Sequence, residues 1–218
     1  MNGYNKQETI NTVVLLLTIF LALNLNKWLP DFENWTFFII LSLISAKGFY
    51  ELTIRIIFFL ISHNDFLMRV YWGKQFLAGY WTYEYTRENK KYIGIWQITQ
   101  DLTSTIVIGS GLNDDFSTRT IVSSVSPLLS KQGVYFFINE RSELNEDTGF
   151  ISNVYSKTTL ILDSPSSIFS EITTLRATTE IYGGKSNAHI HPNVVFHKHK
   201  EIKSQQELID KLKKGEIN

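Results

Sequence analysis

The chain contains no cysteine among its 218 residues. Disulfides and thiolate metal sites are therefore excluded. No charge of either sign is in excess, because 21 Lys and Arg stand against 21 Asp and Glu. A general nucleic-acid binder carries a basic surplus, so a DNA or RNA polymer is not an expected partner. The catalytic fingerprints are missing too. There is no Walker loop, no dinucleotide-binding glycine motif, no GxSxG and no HExxH. Gly109-Ser110-Gly111 reads as a turn, since Asn113-Asp114-Asp115 follows it within two residues rather than a helix start. The expectation is a protein that is not an enzyme and uses no cofactor.

What the chain does have is length for one ordinary domain plus an appendage. The appendage comes first. Residues 13–25 (VVLLLTIFLALNL) carry no charge, and with their neighbours approach the roughly 20 residues that cross hydrocarbon. A secretory signal is disfavoured, because Glu8 offsets Lys6 and NKWLPDFEN is a poor cleavage region. Pro30 and Asp31 mark a turn. Residues 35–61 form a second apolar run, WTFFIILSLISAKGFYELTIRIIFFLI. Spans over residues 10–29 and 35–61 are predicted within a region 1–75.

Lys47, Glu51 and Arg55 interrupt the second run at four-residue spacing, which places them on one helical face. Two readings stay open. They form a polar seam through which copies associate, or the span ends near Ser45 and an amphipathic helix lies along the membrane surface. The weak excess of basic residues at Lys6, Arg69 and Lys74 puts both ends of the spans in the cytoplasm. The expected location is the inner membrane, crossed twice, with the following domain in the cytoplasm.

From Leu77 onward the pattern changes to strands. Segments 77–86, 92–100, 105–110, 119–126, 133–140, 155–162, 168–181 and 194–199 are rich in β-branched and aromatic residues. Turn sequences such as ENKK, GLNDD, NEDTG and YGGKSN separate them. About eight short strands with no intervening helix predict a compact antiparallel β-barrel over residues 76–202. An open β-sandwich is the runner-up. In the tail, residues 203–218, Ser204 and Glu207 form a capping box ahead of Leu208, Ile209 and Leu212. A short C-terminal helix is predicted there.

Candidate binding groups follow from strand alternation. Trp81, Tyr83 and Tyr85 share one face, Trp96 lies on the next strand, and Tyr135 and Phe137 share another face. Aromatic walls stack on planar bases, although core packing is the better explanation for any one of them taken singly. Arg119 lies between Thr118 and Thr120, and Arg176 lies near Thr173, Thr174 and Thr178. Such arginines suit phosphate, or else face solvent. The segment HIHPNVVFHKH places His189 with His191 and His197 with His199 at two-residue spacing. Each pair has the spacing to bite a metal, or forms the polar end of a hairpin. No carboxylate supports them, so no metal is expected.

The whole layout resembles a known family. The hairpin of apolar helices, the strand LAGYWTYEY, the strand GIWQITQD and the late segment ITTLRATTEI carry the resemblance. It is to the two-transmembrane β-barrel CD-NTase-associated effectors of bacterial CBASS anti-phage defence. The resemblance implies a barrel that binds a cyclic dinucleotide, self-association of the protein on binding, and disruption of the bilayer. The ligand-binding residues would be Trp81, Tyr83, Trp96, Arg119, Tyr135, Thr174 and Arg176. The assembly residues would be Lys47, Glu51 and Arg55. Gly79 and Trp81 also resemble the first strand of lipocalins, so a tethered carrier of apolar ligands is one alternative. A structural subunit of a membrane complex is the other.

Overall fold

Strands β1 (Gly79–Arg87) and β2 (Lys90–Gln100) alternate inward and outward side chains along a common register. On β1, Trp81 and Tyr83 are buried and Glu84 is half-exposed. The same two-residue period continues in β3 (Thr105–Leu112), β4 (Thr118–Ser124), β6 (Val134–Leu144), β7 (Ile151–Ile161), β8 (Thr174–Tyr182) and β9 (His189–His199). A three-residue strand, β5 (Leu129–Lys131), adds to β6. In this computed structural model, the described residues are 3–24, 35–87, 89–125, 129–131, 134–144, 151–161, 172–182 and 189–217.

Every pairing is antiparallel, and β4 joins β6 while β1 joins β9. Eight strands thus close into an up-and-down barrel in the order β1, β2, β3, β4, β6, β7, β8, β9. Closure leaves none of the eight with an unpaired edge. One hydrophobic cluster fills the interior, with Trp81, Trp96, Val107, Phe137, Leu160, Leu175 and Phe196 among its members. A second lies on the outer surface. There α4 (Gln205–Lys213) buries Leu208 and Leu212 against Ile95 and Leu112 of the barrel wall. Ser204 Oγ accepts from the Glu207 amide at 3.1 Å, and the Glu207 carboxylate accepts from the Lys203 amide at 3.0 Å. The first turn of α4 is capped in both directions.

The chain divides into two units, Met1–Gly73 and Lys74–Asn218. The first holds α1 (Gly3–Asn24), α2 (Trp35–Ser62) and α3 (Asp65–Trp72). Asn64 caps α3 by accepting from the Leu67 amide at 3.1 Å. This unit corrects the expectation of two membrane spans. Among the described residues no helix is long and apolar enough to cross a membrane. The first half of α1 is polar, with Gln7, Glu8, Asn11 and Thr12, so its apolar part starts only at Val13. That leaves about a dozen residues where roughly 20 are needed. In α2, Lys47, Glu51 and Arg55 break the apolar run. The expected inner-membrane location with a cytoplasmic barrel rested on those spans and falls with them. The turn read at Pro30 and Asp31 lies outside the described residues.

Candidate functional site

The two ends of the barrel differ. One end is sealed by the segment entering β1. Gln100 accepts from the Leu77 and Ala78 amides at 2.6 and 2.9 Å, and its Nε2 donates to the Gln75 carbonyl at 2.8 Å. Trp81 Nε1 donates to the Leu77 carbonyl at 2.8 Å, and Gln75 Nε2 donates to the Tyr135 hydroxyl at 2.9 Å. Trp81 and Tyr135, both expected to bind ligand, are thus part of this seal. Thr174 and Arg176 are exposed and alternate with the buried Leu175 and Ala177, so they lie on the outer wall of β8. Lys47, Glu51 and Arg55 are exposed on α2, with Lys47 Nζ 4.0 Å from the Glu51 carboxylate.

The opposite end opens onto a narrow cavity. Tyr83, Tyr85, Trp96, Arg141, Thr158 and His191 are among its lining, and its volume is about 20 Å³. Two β-bulges shape this end. The β3–β4 register passes from Gly111–Thr120 to Leu112–Thr118, which makes Arg119 the extra residue. A bulge re-aims the side chain it carries. Arg119, which plain alternation with Thr120 and Val122 would turn outward, places its guanidinium 4.6 Å from the Tyr92 ring centre. Its Nη2 lies 3.5 Å from the Tyr85 hydroxyl, at the limit of hydrogen bonding.

The second bulge is in β9. Its partners pass from Ala177–Val194 to Thr179–His191, so Pro192 and Asn193 together stand opposite Thr178, one residue in excess. Asn193 takes φ of 62°, a left-handed conformation asparagine tolerates. Proline belongs at such a bulge because it has no amide to donate. The shift buries His191 on the inner face together with Val194 and Phe196. Without it, Ile190 and Pro192 would take that face. The His191 ring sits 4.7 Å from Tyr85, which in turn stacks on Tyr92 at 5.2 Å and on Tyr83 at 6.4 Å.

Below these aromatics the wall turns polar. Arg141, Ser156, Thr158 and Thr179 line the cavity, and the Thr158 and Thr179 hydroxyls are 3.1 Å apart. Just outside the rim, Lys90, Asn113, Asp114, Asp115 and Arg119 border an open groove of about 350 Å³. Lys90 Nζ donates to Asp114 at 3.0 Å, and that bond raises the Lys90 pKa. The Ser117 hydroxyl and amide donate to Asp115 and hold its carboxyl below the usual range. Arg119 is common to the aromatic stack and the groove.

Two further histidines of β9 lie away from this end. His197 and His199 face outward on β9, and His199 Nε2 meets the Thr82 hydroxyl at 2.9 Å. The bulge therefore puts His191 on the face opposite to His197 and His199. The His189 side chain lies outside the described residues. Among the described residues no group of His, Asp and Glu is arranged to hold a metal.

Of the predicted ligand residues, the structure brings Tyr83, Trp96 and Arg119 to the open end. Sequence reasoning missed Tyr92, Arg141 and His191. Arg141 was legible, because it continues the inward alternation of Tyr135 and Phe137. His191 was not, because its direction depends on the bulge. No family model, curated protein or solved structure matches this chain.

Proposed function

We propose that this chain is a small-molecule receptor whose open barrel end binds a ligand with a planar ring and an anionic group. The observation that carries the proposal is the convergence of both bulges on Tyr85, one delivering Arg119 and the other His191. Stacked tyrosines offer a flat ring about 1–3 kcal/mol per base. A guanidinium beside them suits a phosphate. The groove is of the size small ligands occupy, about 300–1,000 Å³, whereas the cavity beneath it is far too small for one. The ligand therefore lies across the rim. Within that class we propose a cyclic dinucleotide, as the resemblance to the CBASS barrel effectors implies. Leu16, Phe20, Phe59 and Leu60 of the helical unit are exposed, which supports self-association as the response to ligand. No catalytic step is part of the proposal.

The test is calorimetric titration of the full chain with a panel of cyclic di- and trinucleotides and, in parallel, a long-chain fatty acid. Binding of a cyclic dinucleotide is expected, with affinity at least tenfold weaker in Arg119→Ala and in Tyr85→Leu. A lipocalin-like carrier would bind the fatty acid instead, but the interior cavity of about 20 Å³ is far too small for that guest. The second reading, a purely structural barrel, is favoured by the small interior cavity. It predicts that neither ligand class binds, and that result would overturn the receptor.

A further inference from the structure

Residues 113–117 join β3 to β4 and supply Asn113, Asp114 and Asp115 to the wall of the rim groove. The loop is bonded to itself. The Asn113 amide donates to the Ser117 carbonyl and the Phe116 amide to the Asn113 carbonyl, both at 2.9 Å. Phe116 adopts φ of 63°. A bulky side chain resists that left-handed conformation, so contacts elsewhere must hold it there.

Those contacts come from the C-terminal helix. Phe116 packs against the cluster that Leu208 and Leu212 of α4 form with Ile95 and Leu112, and Ile217 beyond the helix joins it. A second link is electrostatic. The Asp115 carboxyl, held down first by its Ser117 bonds, is lowered further by the charge of Lys213 in the last turn of α4. Neither Phe116 nor Lys213 borders the groove itself. The loop also reaches the residues that do. It ends at Thr118, which pairs with Leu112, and the next residue is the bulged Arg119. The loop thereby fixes the start of the bulge that aims Arg119 at Tyr85 and Tyr92. Asp114 accepts from Lys90 at 3.0 Å, which ties the same loop to the start of β2.

We propose that α4 is the positioning element of the groove and Phe116 the positioning residue through which it acts. Docking of the helix holds loop 113–117 and, through it, Arg119. The inference rests on the receptor reading for its ligand and adds a means of regulation to it. Helix docking and ligand binding favour the same loop conformation, so each strengthens the other by one common factor. A partner that draws α4 off the barrel wall weakens ligand binding by that factor.

The first experiment needs no ligand. Amide hydrogen exchange of loop 113–117 is followed in the full chain, in Leu208→Ala and in Leu175→Ala, which truncates a core residue of the interior cluster instead. Exchange about tenfold faster in Leu208→Ala alone is expected, as a local opening of the loop. Equal loop exchange in both variants would overturn the inference. Should Leu208→Ala not fold, Phe116→Gly replaces it, since glycine accepts the backbone conformation without the ring. Faster exchange is then expected in α4, with Phe116→Tyr restoring the native rate, and an unchanged α4 would overturn the inference. The second experiment titrates the same chains with a cyclic dinucleotide. Affinity about tenfold weaker in Phe116→Gly and recovered in Phe116→Tyr is expected. Native affinity in Phe116→Gly would overturn the coupling to the site. No binding by the native chain would overturn the receptor reading, while exchange still decides whether α4 holds the loop.

Discussion

Gly94 faces the barrel interior, and the Tyr83 ring occupies the space a side chain would take. A Cβ there would overlap the ring, whose displacement would reach Phe196 and Trp96 at 5.5 and 5.9 Å. Gly94→Ala should therefore cost about 1–3 kcal/mol by overpacking, measured in denaturant unfolding. His199 carries a pH effect. Burial lowers its pKa first, followed by the charges of His197 and Lys211. The native state thus holds fewer protons than the unfolded one near pH 6. The contribution of His199 is present above its unfolded value of about 6.5 and is lost as pH falls through the depressed native value. His199→Gln keeps an acceptor for Thr82 and should flatten the stability slope between pH 7 and 5. An unchanged slope would place the titration elsewhere. Asp101 behaves in the opposite range. Burial opposes its ionisation, yet bonds from the amides and hydroxyls of Thr103 and Ser104 outweigh it and lower its pKa. Its contribution is present above the unfolded value of about 3.9 and fades in stronger acid. Asp101→Asn should reduce the loss of stability below pH 4, read by melting at successive pH values.

At the scale of elements, β9 and α4 carry separate tasks. Asn193 adopts a backbone conformation that a β-branched residue resists, so Asn193→Val should destabilise the barrel by about 1–2 kcal/mol. If the bulge orients His191, deleting Asn193 should also weaken ligand binding at the rim beyond what the stability loss explains. Calorimetry at a temperature where the variant stays folded separates the two effects. Helix α4 depends on Leu208, which is fully buried against the barrel wall. Leu208→Ala should cost about 2–5 kcal/mol, read as a lower denaturant midpoint. The tail was legible beforehand, because a cap residue followed by a narrow apolar stripe has one simple outcome. Both bulges were illegible, because an inserted residue leaves the local composition of a strand unchanged.

At the scale of the whole molecule, the sealed and open ends give the barrel a direction. Gln100 ties the segment before β1 to the sealed end, while the aromatic stack and Arg119 stand at the other. If ligand controls assembly, sedimentation of the full chain should shift to larger species when a cyclic dinucleotide is added. Leu16→Glu with Phe20→Glu, which charge two exposed apolar positions of α1, should suppress that shift without changing ligand affinity. A shift that persists in the double variant would move assembly away from this helix.

The sequence alone determined the class of the second unit. Alternation over many short segments permits few arrangements other than an antiparallel barrel or sandwich, and it put Trp81, Tyr83 and Tyr85 on one face of a strand without saying which face is the inner one. It also suggested two membrane spans, because a long apolar run reads the same whether or not polar residues cut short the stretch that faces lipid. Only the tertiary structure decided which inner residues seal an end and which line a cavity, since that depends on where the entering chain crosses the barrel. It alone turned Arg119 and His191 toward Tyr85 and left Arg176 on the outside. A one-residue offset in register reverses every side chain beyond it, and such an offset becomes visible only when the neighbouring strand is in place.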